Sequence, residues 1–235
     1  MSAVQYAIWF INNSSSSGNA CVYQDSANVT LNNGDGFQTL AWMVMGANPG
    51  TQIKFVWSLS YDLVWFDYDS PLTQQIIAAP PGNQVTLSQN QYGYTFSKPS
   101  SGTAGSLVIK ADATVAPVNN VICGIGLDGA GTFGVKPQPN QAGTFTPCTG
   151  PLTYWISFGY NGATNDVIVP EALNLSQQIT FPAGIYNMTA FYNIDGTWTL
   201  KSGSPSQPAS MAKGQQTGPI IYNPAEQARP NTMQA

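Results

Sequence analysis

Two short stretches of the sequence contain residues that could do chemistry. The first, Gly124-Ile-Gly126-Leu-Asp-Gly129, matches the G-x-G-x-x-G pattern of dinucleotide-binding sites, in which a helix begins at the last glycine. The residues after Gly129 are glycines, β-branched and aromatic residues and two prolines, which disfavour a helix of about three turns. No acidic residue lies about twenty positions further on, where a ribose ligand is expected. We therefore predict that this stretch binds no nucleotide and that the protein uses no cofactor.

The second stretch contains closely spaced carboxylates beside aromatic rings. Side chains alternate along a strand, so Asp67 and Asp69 share one face if this segment is extended. A glycosidase needs two carboxylates that flank the bond to be cleaved, and a pair two residues apart on one strand is closer than usual. We favour a solvated strand end here. The candidate ligand residues, for a sugar or a divalent ion, are Trp65, Asp67, Tyr68 and Asp69.

The charge composition excludes several classes of partner. Charged residues make up only 8% of the chain, against about 25% in an average protein. The net charge is −4, and no basic stripe is present, so we expect neither nucleic-acid binding nor electrostatic attachment to a membrane. Histidine is absent, which removes the commonest general base. We predict a protein that is not an enzyme.

The cysteines and the N-terminus bear on metal binding and location. Cys21, Cys123 and Cys148 show no C-x-x-C spacing, so we predict no metal site. We favour three reduced thiols, and one disulfide with one thiol left over remains the alternative. The first residues lack the basic region of a secretory signal, and no apolar run approaches about 18 residues. We expect synthesis in the cytoplasm without a signal peptide; delivery to the surface by a non-standard route stays open.

The apolar pattern has the period of strands. Residues 6–11 are apolar on both faces, which predicts a central strand. Alternate positions from Ile53 to Tyr61 are apolar, which predicts one long half-buried strand. Some fifteen such segments separated by turns predict an all-β fold, an antiparallel β-sandwich of the jelly-roll kind with an extended C-terminal arm. We assign this domain to residues 1–202 and keep open its division into two halves.

Two hairpins are predicted from turn residues. Asp195-Gly196 lies between β-prone segments, which is a strong hairpin signal. Ala-Gly-Thr-Phe occurs at both Ala130 and Ala142, with a segment rich in proline and asparagine between the two copies. This arrangement predicts a wide hairpin in which the two copies pair.

The last part of the chain, residues 203–235, is rich in Gly, Ser, Pro, Gln and Ala. Such a composition is typical of a linker or a disordered tail. It contains a short apolar patch, Ile220-Ile221-Tyr222, flanked by prolines. This patch could add as a strand to a sheet edge, either of its own domain or of a neighbouring subunit. Both the disordered tail and the docking arm remain open from the sequence.

Several landmarks occur in a fixed order between about residues 6 and 200. They are residues 6–13 with Ala20-Cys-Val-Tyr-Gln24, Leu40-Ala-Trp42, Asn48-Pro-Gly-Thr51, Phe55-x-Trp57-Ser58, Tyr61-x-x-Val64-Trp65, Gly124-Ile-Gly126, Gly129-Ala-Gly-Thr-Phe133, Gln138-Pro-Asn140 and Tyr154-Trp-Ile-x-Phe-Gly159. In these landmarks the chain resembles the rhizosphere-induced protein RhiA family of bacteria. The resemblance implies abundant expression that depends on population density in some plant-associated bacteria. It implies no defined activity and no catalytic residues.

Two functions fit these observations. The first is a non-catalytic β-sandwich protein that acts by self-association or surface interaction, with its C-terminal arm docked on a neighbour. The alternative is a carbohydrate-binding, lectin-like module, since six tryptophans are many for this length and exposed aromatic rings can stack on sugars. We expect a homo-oligomer in the first case and a glycan partner in the second.

Overall fold

The strands follow from the alternating pattern and from the turn residues between them. The structure is a computed structural model that describes residues 4–32, 36–68, 70–168, 173, 175–205 and 218–227. A 3-10 helix (Ser26–Asn28) and an α-helix, α1 (Pro224–Gln227), accompany the strands. In chain order the strands are β1 (Gln5–Asn12), β2 (Gly18–Gln24), β3 (Val29–Asn32), β4 (Gln38–Leu40), β5 (Met43–Ala47), β6 (Gln52–Ser58), β7 (Tyr61–Asp67), β8 (Ser70–Ala78), β9 (Asn83–Asn90), β10 (Gly93–Phe96), β11 (Ser100–Ser101), β12 (Leu107–Ala111), β13 (Val121–Leu127), β14 (Ala130–Val135), β15 (Ala142–Pro147), β16 (Thr153–Phe158), β17 (Val167–Ile168), β18 (Ser176–Thr180), β19 (Asn187–Tyr192), β20 (Trp198–Ser202) and β21 (Ile220–Tyr222).

These strands form four sheets. Sheet A has the order β20-β19-β1-β6-β21, and sheet B has the order β18-β16-β2-β5. Sheet C has the order β10-β9-β12-β15-β3, with β11 paired to β9, and sheet D has the order β17-β4-β14-β13-β7-β8. Most neighbours are antiparallel; β1 with β19, β9 with β12 and β6 with β21 are parallel. The predicted all-β class is confirmed.

Two large hydrophobic cores show how the sheets pack. Alternate residues of sheets A and B line the first core, and alternate residues of sheets C and D line the second. We call the pair of sheets A and B the first sandwich, and the pair of sheets C and D the second sandwich. Strands from both ends of the chain build the first sandwich, whereas the middle of the chain builds most of the second. The fully buried residues of the first core include Ile8, Phe10, Phe55, Trp57 and Tyr154.

Two local predictions are confirmed. β1 is apolar on both faces and lies between β19 and β6, inside sheet A. β19 and β20 form an antiparallel hairpin around Asp195-Gly196, in which Gly196 has a φ of 79°. Glycine adopts this left-handed conformation without the steric cost that a Cβ brings.

The single long strand predicted from Ile53 to Tyr61 is wrong. β6 ends at Ser58 in sheet A and β7 begins at Tyr61 in sheet D, so the chain changes sandwich between them. The carboxylate of Asp128 accepts hydrogen bonds from the backbone N–H (3.3 Å) and the hydroxyl (3.2 Å) of Ser58. These bonds fix the crossing, and Leu59 is left exposed there.

The predicted pairing of the two Ala-Gly-Thr-Phe copies is also wrong. Both copies are strands, but β14 belongs to sheet D and β15 to sheet C, on opposite sides of the second core. β14 instead pairs with β13 through a tight turn at Asp128 (φ 54°) and Gly129 (φ 93°). Positive φ at both central residues defines the type I′ turn that joins twisted strands in hairpins. The G-x-G-x-x-G stretch is therefore one strand and the turn of a hairpin.

Candidate functional site

The structure places the predicted ligand residue Trp65 in the second core. Its side chain is 4% exposed, and its indole N–H donates to the side-chain oxygen of Gln75 at 3.1 Å. The ring packs beside Tyr94, with centroids 5.9 Å apart. Since the indole is enclosed and its N–H already has a partner, Trp65 offers no open face on which a sugar could stack.

Asp67 and Tyr68, the other candidate ligand residues that the structure describes in this stretch, lie on opposite sides of the sheet. Asp67 is half-buried at the end of β7. The burial of Tyr94, and then the charge of Asp67, raise the pKa of the Tyr94 phenol. Tyr68 follows on the other side of the sheet, where its ring meets Phe66 edge-on at 6.0 Å. Burial and then the charge of Asp166 raise the pKa of Tyr68 to about 12. Asp69 lies outside the described residues, so its place beside Asp67 stays a prediction.

Three of the six tryptophans are buried and three are half-buried. Trp42 and Trp57 are fully buried in the first core, and none of the six indoles is mainly exposed. Trp155 stacks on Tyr23 with centroids 6.4 Å apart, and its N–H donates to Asp25 at 2.8 Å. The aromatic residues that are exposed in the described part of the chain are Tyr68, Tyr92 and Tyr186.

The three cysteines are unpaired thiols. Cys21 and Cys123 are buried, and Cys148 is half-buried. Burial raises the pKa of Cys123 to about 12 and holds the pKa of Cys21 far above its ordinary range. Such thiols stay protonated near neutral pH and are poor nucleophiles. Among the described residues no cluster of three His, Cys, Asp or Glu side chains could hold a metal ion.

The apolar patch of the C-terminal arm forms the edge strand of sheet A. β21 lies parallel to β6, with Ile220, Ile221 and Tyr222 opposite Ile53, Lys54 and Phe55. Ile220 and Tyr222 face the first core, whereas Ile221 is 62% exposed. The arm thus completes the sheet of its own chain by backbone hydrogen bonding and by the burial of one aromatic ring.

Tyr222 anchors this arm. Its ring lies 5.7 Å from that of Phe55, and its hydroxyl is 3.3 Å from the hydroxyl of Thr164. Burial raises the pKa of its phenol. The chain then turns into α1, where the side chain of Asn223 accepts a hydrogen bond from the N–H of Ala225 at 3.0 Å. An asparagine before a proline at the first helical position is a favourable helix start, so β21 is followed by an ordered helical turn.

The loop that carries Thr164 connects the arm to both sandwiches. The backbone N–H of Asn165 donates to the carbonyl of Ala41 at 2.7 Å. The side-chain oxygen of Asn165 accepts from the N–H of Gly131 in β14 at 2.9 Å. Asn165 has a φ of 72°, a conformation that asparagine tolerates better than most residues. The pocket for Tyr222 is therefore built where the two sandwiches meet.

A second concave feature lies at the end of the first sandwich where β1 begins and β6 ends. It is a cleft of about 270 Å³. The loops that precede β16 and β19 form its walls. The described residues of its lining are uncharged and rich in aromatic rings: Tyr6, Leu59, Gly150, Pro151, Leu152, Tyr154, Phe181, Pro182, Ala183, Gly184, Ile185 and Tyr186. We refer to it as the aromatic cleft.

The rings of the aromatic cleft are held by their neighbours. Tyr6 stacks on Trp57 with centroids 5.9 Å apart, and it meets Phe181 and Tyr186 edge-on at 5.3 and 5.5 Å. The backbone carbonyl of Tyr186 accepts from the N–H of Ala7 at 2.8 Å. Tyr186 is 42% exposed, so its ring is both fixed and accessible. Sequence reasoning missed this cleft, because its rings come from separate parts of the chain.

Together these features describe a charge-poor all-β protein with two sandwiches, an arm strand and a neutral cleft. No helix within the described residues has the length and apolar character of a bilayer-spanning segment. The model of the RhiA family matches residues 3–203. A similar protein is RhiA of Rhizobium leguminosarum bv. viciae, 30% identical over 211 residues, which cover 83% of this chain and 86% of that protein. The chain therefore belongs to the RhiA family, as its sequence landmarks predicted.

The family match also separates the arm from the rest of the chain. It ends at residue 203, directly after β20, whereas β21 begins at Ile220. No solved structure matches the chain.

Proposed function

We propose that this protein is a non-catalytic, self-associating protein whose C-terminal arm exchanges between copies. The single observation that carries the proposal is the parallel pairing of β21 with β6 at the edge of sheet A. An arm from a second copy can make the same backbone bonds and bury the same tyrosine. Exchange of an identical element is a low-cost route to association, because it needs no new interface.

The length of the connection permits both arrangements. β20 and β21 are the two edges of sheet A, four strand spacings apart, which is about 19 Å. Residues 203–219 join them, and a connection of that length can reach about 55 Å when extended. The connection is thus long enough to close on its own sheet and long enough to reach a neighbour. Concentration then decides between closed and exchanged arms.

The composition of the surface supports association. Charged residues are only 8% of the chain, so close approach of two copies separates few charges from water. β21 itself carries no charge, and its Ile221 side chain is exposed. A charged residue in the edge strand is a common way to prevent association between sheet edges, and β21 lacks that protection.

Cysteine pairing between different chains tests this proposal. Ile221 and Lys54 are directly opposite in the β21–β6 register, as a disulfide requires. Two variants are prepared in a Cys148→Ser background, one with Lys54→Cys and the other with Ile221→Cys. After the two are mixed, unfolded, refolded together and oxidised, we expect a covalent dimer that contains one chain of each kind.

The matched control replaces Lys54→Cys with Lys98→Cys, which is exposed near β10 in the other sandwich. That mixture should give few mixed dimers. The double variant, with both introduced cysteines in one chain, reports whether these two positions can form a disulfide at all. Arm exchange would be refuted if the double variant formed its disulfide only within single chains and the two single variants gave no mixed dimer.

A further inference from the structure

We infer that the aromatic cleft binds an uncharged sugar unit. The inference is independent of arm exchange, because the cleft lies at the end of β6 opposite to the residues that pair with β21. Its volume of about 270 Å³ is near the lower end of the range of small-molecule sites, about 300–1,000 Å³. It is therefore of a size for a small ligand rather than for a folded partner.

Tyr6 and Tyr186 give the cleft the two kinds of surface that a sugar presents. Their rings are nearly perpendicular, at 78°, and therefore form a corner of aromatic faces and edges. A sugar ring has an apolar C–H face and a rim of hydroxyls, and a tyrosine offers an apolar ring and a polar tip. Within the described residues, neither phenol oxygen is hydrogen-bonded to the protein. Both hydroxyls are available to a ligand.

The charge of the cleft restricts the class of ligand. None of the described residues that line it is an Asp, Glu, Lys or Arg. Burial holds the pKa of Tyr154 at its base far above the ordinary value, so that phenol stays neutral. An anionic ligand would lose water there without gaining an opposite charge. A neutral polyhydroxylated ring loses less hydration free energy when it enters the cleft. It can also form hydrogen bonds with the phenols and with the backbone of the surrounding loops.

The cleft is already shaped for binding. Tyr6 is fixed from below by Trp57 and from the side by Phe181. The turn before Tyr186 is closed by a hydrogen bond from the N–H of Ile185 to the carbonyl of Pro182 at 2.9 Å. Side chains that are ordered before binding lose little conformational entropy when the ligand arrives.

A titration followed by NMR tests this inference on the full chain. The probes are methyl β-D-glucopyranoside, cellotetraose and chitotetraose, with sodium decanoate as an apolar anion. We expect at least one sugar to shift the indole signal of Trp57, which lies directly beneath Tyr6. Tyr186→Ala should weaken that binding at least tenfold, whereas Tyr186→Phe should weaken it about threefold, because it keeps the ring and loses only the hydroxyl.

Tyr92→Ala is the matched control, since Tyr92 is 89% exposed and does not line the cleft. It should leave the affinity unchanged. Three outcomes would overturn the inference: no shift with any sugar at 20 mM, a sugar affinity that survives Tyr186→Ala, or binding of decanoate alone. Each is distinguishable from failure of arm exchange, because none of these measurements depends on β21.

Discussion

Replacing Gly124 with alanine is expected to destabilise the protein by about 3 kcal/mol or more, near the upper end of the cost of overpacking. A Cβ at this position would overlap the backbone carbonyl oxygen of Phe133 and would lie 2.6 Å from the Cα of Gly134. Both obstacles are backbone atoms of β14, so no side-chain rotation can make room. β13 and β14 would have to separate in the middle of sheet D. Urea unfolding followed by tryptophan fluorescence measures the change in free energy.

Gly46→Ala is the matched control for this substitution. Gly46 also lies in a strand, β5, but a Cβ there would meet only the side-chain oxygen of Asn19 at an ordinary 3.6 Å. We expect it to change the free energy of unfolding by less than about 1 kcal/mol. A Gly124→Ala variant as stable as this control would show that the glycines are not needed for the close approach of β13 and β14.

Tyr222→Ala is expected to release the arm from sheet A. Truncation of a large buried aromatic residue costs about 3–5 kcal/mol, and β21 has only three residues of backbone pairing to oppose that loss. Because the arm can detach while both cores stay intact, the loss should appear as local undocking rather than as global unfolding. We expect the amide hydrogens of β21 to exchange at least tenfold faster, as measured by hydrogen exchange with mass spectrometry.

Ile221→Ala controls for the loss of apolar surface from the same strand. Its side chain points outward and is 62% exposed, so exchange at β21 should stay near the wild-type rate. Tyr222→Phe keeps the ring beside Phe55 and loses the hydroxyl, with its contacts to Thr164 and to the backbone of Val44. Its rate of hydrogen exchange at β21 should be close to that of the wild type. Equal protection of β21 in Tyr222→Ala and in the wild type would mean that the tyrosine does not hold the arm.

The alternating pattern of apolar residues predicts the all-β class and the buried face of individual strands. Ile53, Phe55 and Trp57 lie on one side of β6 and are fully buried, as their parity predicted. Periodicity reports which face of a strand is buried, but it does not report which strand lies beside it. This is why the pattern continued to Tyr61 without a break although the chain changes sheet after Ser58.

The pairing around the glycine-rich stretch could not be read from composition alone. Asp128-Gly129 is a strong hairpin signal that lies inside the match to the dinucleotide pattern. The repeated Ala-Gly-Thr-Phe suggested pairing, yet the prolines between the copies accompany a crossing from sheet D to sheet C. Phe133 and Phe145, the last residues of the two copies, both pack into the second core, from opposite sheets.

Of the candidate sites, the arm was visible in the sequence and the cleft was not. Ile220, Ile221 and Tyr222 form a contiguous apolar run with proline on each side, a local signal for a docking strand. Tyr6, Phe181 and Tyr186 are brought together only by the parallel pairing of β1 with β19 and the loop before β19. Trp65 looked like a ligand residue because its neighbours are acidic, but its parity on β7 directs it into the core.

The mass of the native protein in solution tests arm exchange most directly. Light scattering after size exclusion compares the full chain with a chain that ends at Ser202, over a range of concentrations. We predict that the full chain has a mass above 25.0 kDa that rises with concentration, and that the shortened chain is a monomer. Equal masses for the two chains, whether monomeric or oligomeric, would contradict self-association through the arm.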